Sequence, residues 1–262
     1  MTPAAGDPAT LLALKLLLVP AFLAIISFAG KRWGPNVAGW LAGFPSLTGP
    51  ILFFLAIERG PAFTVQAAVL SLSAVFSAVA FGVAYSWACT RLHWLWSLAC
   101  ALSAWTAAVL LLAQLPLSAM ASLAISLLTL FAAPRAFPRA HAQWGSHPLP
   151  AYELLLRMVA GAVMVLLVTA AAEALGPAWT GLFAAFPVMS TVLAVFSHRA
   201  NGPGFVVALL RAMVGGFYAF IAYCLSVAVL LDDWGIAVTF IVAVAAAVMV
   251  QGTAKAIMMR SA

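Results

Sequence analysis

The sequence predicts an all-α, polytopic membrane helix bundle of about nine transmembrane helices, built as two inverted four-helix repeats joined by a linking helix. Three observations carry this. Of 262 residues, 66% are hydrophobic and 7% are Asp, Glu, Lys or Arg, whereas a soluble domain carries about a quarter charged residues. Mean hydropathy is +1.14, which leaves too little polar surface to cover a soluble fold. The apolar stretches are punctuated by Gly-Pro pairs that recur at a fixed offset. A disordered chain, a disulfide scaffold and a nucleic-acid binder are excluded. The 12 Lys and Arg against 6 acids read as membrane orientation instead of a basic surface.

Crossing a hydrocarbon core of about 30 Å takes roughly 20 mostly apolar residues. Nine stretches qualify: 11–29, 36–57, 62–88, 93–113, 116–133, 153–172, 178–197, 204–231 and 235–255. Turn chemistry separates them at Gly34-Pro35, Gly60-Pro61, Pro116, Pro134 to Pro150, Gly176-Pro177, Gly202-Pro203 and Asp232 to Gly235. The whole chain, 1–262, reads as one integral membrane domain. Repeat one covers 11–113, the linking helix 116–133, a cytoplasmic loop 134–152 and repeat two 153–257. The N-terminus lacks a basic n-region and a cleavage site, so 11–29 is expected to stay as the first span.

Loop charges set the expected orientation. Lys31, Arg32, Arg91, Arg135, Arg139, Arg199, Lys255 and Arg260 fall on one side, while Asp7, Glu58, Glu173, Asp232 and Asp233 fall on the other with Arg59. The positive-inside rule then puts the N-terminus outside and the C-terminus in the cytoplasm of a bacterial-type inner membrane.

Residues 34–65 align without a gap on residues 176–207, at an offset of 142. The pairs include Gly34 with Gly176, Pro35 with Pro177, Gly39 with Gly181, Phe44 with Phe186, Pro45 with Pro187, Gly60 with Gly202 and Pro61 with Pro203. Lys15 and Arg157 fall at the same offset. Five spans separate equivalent positions, so the second copy runs in the opposite direction. Lys31 aligns with Glu173 and Arg91 with Asp233, charges suited to opposite faces. Inverted repeats of this kind are typical of secondary transporters, although duplication also yields a stable bundle through which nothing passes.

Matching Gly/Pro interruptions are the best pointer to a transporter site. Pro45 and Pro187 lie near the middle of spans two and seven. Each removes a backbone donor and is expected to free a carbonyl one turn earlier, at Leu41 and Phe183. Phe44, Pro45, Ser46 and Thr48 in one copy, with Phe186, Pro187, Ser190 and Thr191 in the other, form the candidate substrate-binding set. Back-bonding of the hydroxyls at a proline kink is the plainer alternative. Gly39-x-x-x-Gly43 and Gly181-x-x-x-Ala185 suit close helix packing.

Arg211 sits about eight residues into span eight, on a stripe with Gly204, Ala208, Gly215 and Tyr218. That small, polar stripe is expected to face the bundle, with Arg211 as partner of an anionic group. Lys15 and Arg157 read as snorkelling residues, and Glu153 is placed to pair with Arg157. Gln66, Ser73 and Ser77 share a face of span three that is expected to line the same interior. Cys89, Cys100 and Cys224 show no CxxC spacing, and His141 and His147 lack a second ligand pair. No metal or cofactor is expected. With no nucleotide loop, hydrolase elbow or carboxylate cluster at depth, the sequence points away from an enzyme.

Residues 38–60, AGWLAGFPSLTGPILFFLAIERG, resemble the second span of the small four-helix inner-membrane proteins of the GlpM type, with a mid-helix Phe-Pro followed by Glu-Arg-Gly. The second copy keeps Phe186-Pro187 but has Ala200-Asn201 for Glu-Arg. The resemblance implies that one four-helix unit can exist alone and that this chain is two such units fused. It carries no catalytic residue. The expected partners are the lipid bilayer and a small-molecule or ion substrate, with a homo-oligomer left open. The function expected is a secondary transporter or exporter of a small solute. A non-transporting accessory protein of an envelope polymer or lipid system, or a channel, are the alternatives.

Overall fold

The computed structural model describes residues 8–115, 117–139, 150–175 and 186–260. Among them lie eight α-helices and no strand: α1 (Pro8–Trp33), α2 (Pro35–Ala42), α3 (Thr48–Arg59), α4 (Pro61–Ala88), α5 (Trp94–Ala113), α6 (Ala119–Ala136), α7 (Ala151–Leu175) and α8 (Val188–Arg260). Six of these are long and apolar enough to cross a membrane. Large apolar side chains cover the outside, among them Leu17, Phe131 and Ile241, each about 70% exposed. A surface of this kind is stable only against lipid, and a helix satisfies its own backbone there. The chain is a polytopic membrane helix bundle.

Two kinds of interruption divide the helices. The first is a glycine turn. Gly34, Gly60 and Gly202 have φ near +80° and ψ near 175°, a region open almost only to glycine. Each precedes a proline, which holds the residue before it out of helical ψ and sits easily in the first turn of the next helix. Gly235 has the same backbone with φ 70°. Gly202 and Gly235 thereby divide α8 into segments 188–201, 203–234 and 236–260.

The second interruption is a break at Phe-Pro. Pro45 does not kink a continuous span. α2 stops at Ala42 and α3 starts at Thr48, so span two is two half-helices.

α2 is held at the centre by close approach to α8. A Cβ on Gly39 would overlap the Leu209 carbonyl oxygen and sit 2.9 Å from Ala212 Cβ, and a Cβ on Gly43 would sit 2.8 Å from Gly216 Cα. The small-residue spacing therefore packs backbone on backbone, as expected. α1 crosses α7 where Gly161 meets Val19 and Leu23. α6 lies on α4, with Ser126 Oγ donating 2.6 Å to the Leu72 carbonyl. Gly176, Pro177, Gly181, Phe183, Ala185, His141 and His147 lie outside the described residues.

Candidate functional site

The two Phe-Pro breaks carry the same hydrogen bonds. Ser46 N–H donates 2.7 Å to the Phe44 carbonyl, and Val188 N–H donates 2.9 Å to the Phe186 carbonyl. This is the three-residue bond of a γ-turn, with proline at its centre. One turn on, Gly49 N–H donates to the Pro45 carbonyl at 2.8 Å and Thr191 N–H to the Pro187 carbonyl at 2.9 Å. Every one of these atoms has its counterpart 142 positions away.

Both breaks open onto one cavity of about 200 Å³. Phe44, Ser46 and Thr48 line it from the first break, and Phe186, Pro187 and Ser190 from the second. Six of the nine predicted residues thus meet in space. Pro45 lies in its break without lining the cavity. Thr191 is packed behind it, 1% exposed, and its hydroxyl has no partner among the described residues.

Arg211 is elsewhere. Its side chain is exposed on α8 and forms no part of the cavity. The face of α8 turned to α2 carries Leu209, Ala212, Met213 and Gly216. At 100° per residue Arg211 lies about 200° around the helix from Leu209, and Tyr218, 37% exposed, goes with it. Of the stripe expected to face the bundle, Arg211 and Tyr218 face out, while Ala208 is buried. Gln66 is exposed as well, while buried Ser73 and Ser77 bond the carbonyls of Leu70 and Ala74 on their own helix.

Three carbonyls at the first break, those of Trp40, Leu41 and Gly49, are occupied. Phe44 N–H takes the Leu41 carbonyl at 3.1 Å, so proline does not leave that oxygen free. The carbonyl of Trp40, which lost Phe44 as donor, accepts from Gln251 Nε2 at 2.8 Å. Tyr223 Oη donates 3.1 Å to the Gly49 carbonyl. The Leu41 carbonyl, expected to be freed by Pro45, is therefore taken up within the turn.

Sequence reasoning missed the contribution of α1 and α7. Lys15 and Thr169 line the cavity with Val19, Val165 and Val168. Lys15 is its only charged lining side chain, and it forms no ion pair among the described residues. Arg157, at the equivalent position, is buried instead of snorkelling. Its Nε donates 3.2 Å to Glu153 Oε1, its Nη2 pairs with the same oxygen, and its Nη1 lies 3.3 Å from Ser27 Oγ. The guanidinium also sits 5.8 Å from the Phe196 ring centre. The missed signal was the register itself, since Ser27 and Thr169 are also 142 apart. Lys15 meets the cavity with Thr169, and Arg157 meets Ser27.

No group of three or more His, Cys, Asp or Glu side chains that could hold a metal occurs among the described residues. No family model matches the chain, and neither a curated protein nor a solved structure does.

Proposed function

We propose that the chain is a secondary transporter of a small solute, crossing a bacterial-type inner membrane nine times as inverted four-helix repeats around a linking helix. One observation carries the reading: two Phe-Pro turns, hydrogen-bonded alike at equivalent positions and each leading into a helix, open on one shared cavity. Discontinuous helices meeting at the interface of two inverted copies are how transporters build a midplane site. The matched glycine turns at Gly60 and Gly202 support the same register, and the loop charges support opposite orientations of the copies. All six acids lie near span ends, so coupling through a buried carboxylate relay is disfavoured against solute exchange. The second reading, a packed accessory bundle, is favoured by the tight glycine contacts between α2 and α8.

Wetting separates the two. Ser46→Cys and Ser190→Cys would each be made in a background lacking Cys89, Cys100 and Cys224, then treated with impermeant thiol reagents from either side. A transporter gives labelling at both positions, with the accessible side changing between states. Folded protein that labels at loop controls and at neither of these cysteines returns the chain to the accessory reading.

A further inference from the structure

We propose that the cavity is an anion site that takes a small carboxylate with an apolar body. Lys15, the N-terminal ends of α3 and α8 and the Ser190 hydroxyl hold its charged end. This rests on the cavity being a solute site and names the substrate class.

Charge comes first. Among the described residues Lys15 is the only charged lining side chain, and no acid of that set lines the cavity to neutralise it. The equivalent Arg157 is neutralised by Glu153, four residues before it. The residue four before Lys15 is Leu11. An ammonium in an apolar bundle favours a counter-charge, and the Lys15 ammonium faces the cavity.

Backbone polarity comes second. α3 begins at Thr48 and α8 at Val188, and both starts line the cavity. The amides of Gly49, Ile51, Val188 and Thr191 are bonded to carbonyls of the two turns, and Pro50 has none. The first-turn donors open among the described residues are therefore those of Thr48, Met189 and Ser190, and each helix N-terminus carries partial positive charge. Two such ends converging from broken helices are suited to an anionic group.

Third, Ser190 is 6% exposed, and its side chain has no hydrogen bond among the described residues while lining the cavity. Its hydroxyl is reachable from the cavity and free to donate to a bound carboxylate.

The remaining wall sets the body of the ligand. Val19, Ile51, Val168, Phe186, Phe217 and Phe220 are apolar, and the cavity of about 200 Å³ corresponds to roughly seven waters at about 30 Å³ each, which limits the ligand to a small molecule. No carboxylate among the described residues lines the cavity to receive an ammonium group, so an amino acid or a polyamine fits that wall poorly.

The test uses the purified full-length chain in detergent and its thermal unfolding midpoint. Sodium butyrate and sodium benzoate are the probes, with sodium chloride and choline chloride at matched ionic strength as references. A saturable rise in Tm with a carboxylate, absent with chloride and choline, is the expected result. Lys15→Met weakens the apparent affinity by about tenfold or more, the loss of one charge-assisted hydrogen bond, while Lys15→Arg keeps most of it. Leu11→Glu keeps the lysine but supplies the acid that Arg157 has, and it weakens the response in the same direction. A rise with choline instead, no rise with either carboxylate, or an equal rise in wild type and the Met and Glu variants overturns the anion site. Cysteines at 46 and 190 that label while carboxylates have no effect remove the anion assignment and leave the pathway standing. A carboxylate response without flux in vesicles removes transport and leaves the site.

Discussion

Lys15 and Arg157 stand at equivalent positions and have opposite surroundings. Arg157 is locked between Glu153, Ser27 and Phe196. Lys15 lines a cavity together with Thr169 and forms no ion pair among the described residues. The helices that carry them, α1 and α7, pack on each other, so the same backbone crossing supports both. The difference traces to one residue, Leu11 where the other copy has Glu153. A pseudo-symmetric frame can therefore be sealed at one pole and left open at the other without changing the fold. In a membrane, an ion pair completed inside the protein is structure, and an incomplete one is a place for a ligand.

The largest expected effect comes from making the sealed pole resemble the open one. Glu153→Leu strands a buried guanidinium, and removing one partner of a buried pair costs about 3–5 kcal/mol. A detergent unfolding midpoint that hardly moves would show that Arg157 reaches water and that the contrast is not real.

Next come the glycine turns that set the common frame. Gly60→Ala and Gly202→Ala each force a side chain into φ near +80°, worth about 1–3 kcal/mol of strain. Neither site has an atom within 4 Å of an added Cβ, so the loss is backbone strain alone and should be alike at both. Chemical-denaturant unfolding of the two variants side by side checks this, and unequal losses would argue against equivalent turns.

The smallest effect sharpens the comparison most. Ser27→Ala removes a hydrogen bond to a buried cation and should cost about 1.5–3 kcal/mol at its upper range, less at 3.3 Å. Thr169→Val, its counterpart at the open pole, breaks no hydrogen bond among the described residues and should leave unfolding stability within about 0.5 kcal/mol of wild type. Thr169→Val should instead weaken carboxylate stabilisation, which Ser27→Ala leaves intact. Two variants that behave alike in both assays would erase the distinction between the poles.

Much of this was legible without coordinates. Phe44-Pro45 and Phe186-Pro187 could be placed in breaks because proline has no amide to give, wherever it sits in a helix. The Gly-Pro turns were legible because only glycine adopts the backbone they need. Small residues four apart at Gly39 and Gly43 announced a close helix contact. Each of these is a local property of the chain. The fate of the carbonyls was not legible, because Gln251 reaches Trp40 from the third segment of α8, 211 residues away.

Composition, turn chemistry and the offset of 142 determined that this protein is a membrane helix bundle with two matched breaks. Tertiary structure alone decided that the breaks share a cavity, that Arg211 turns outward and that Lys15 stands without an acid. The physical reason is the range of the interactions. Helix ends and backbone dihedrals are settled among residues a turn apart, but the direction of a charge in a membrane is settled by which helix covers which face. α2 took the Leu209–Gly216 face of α8, and Arg211 was left on the other side.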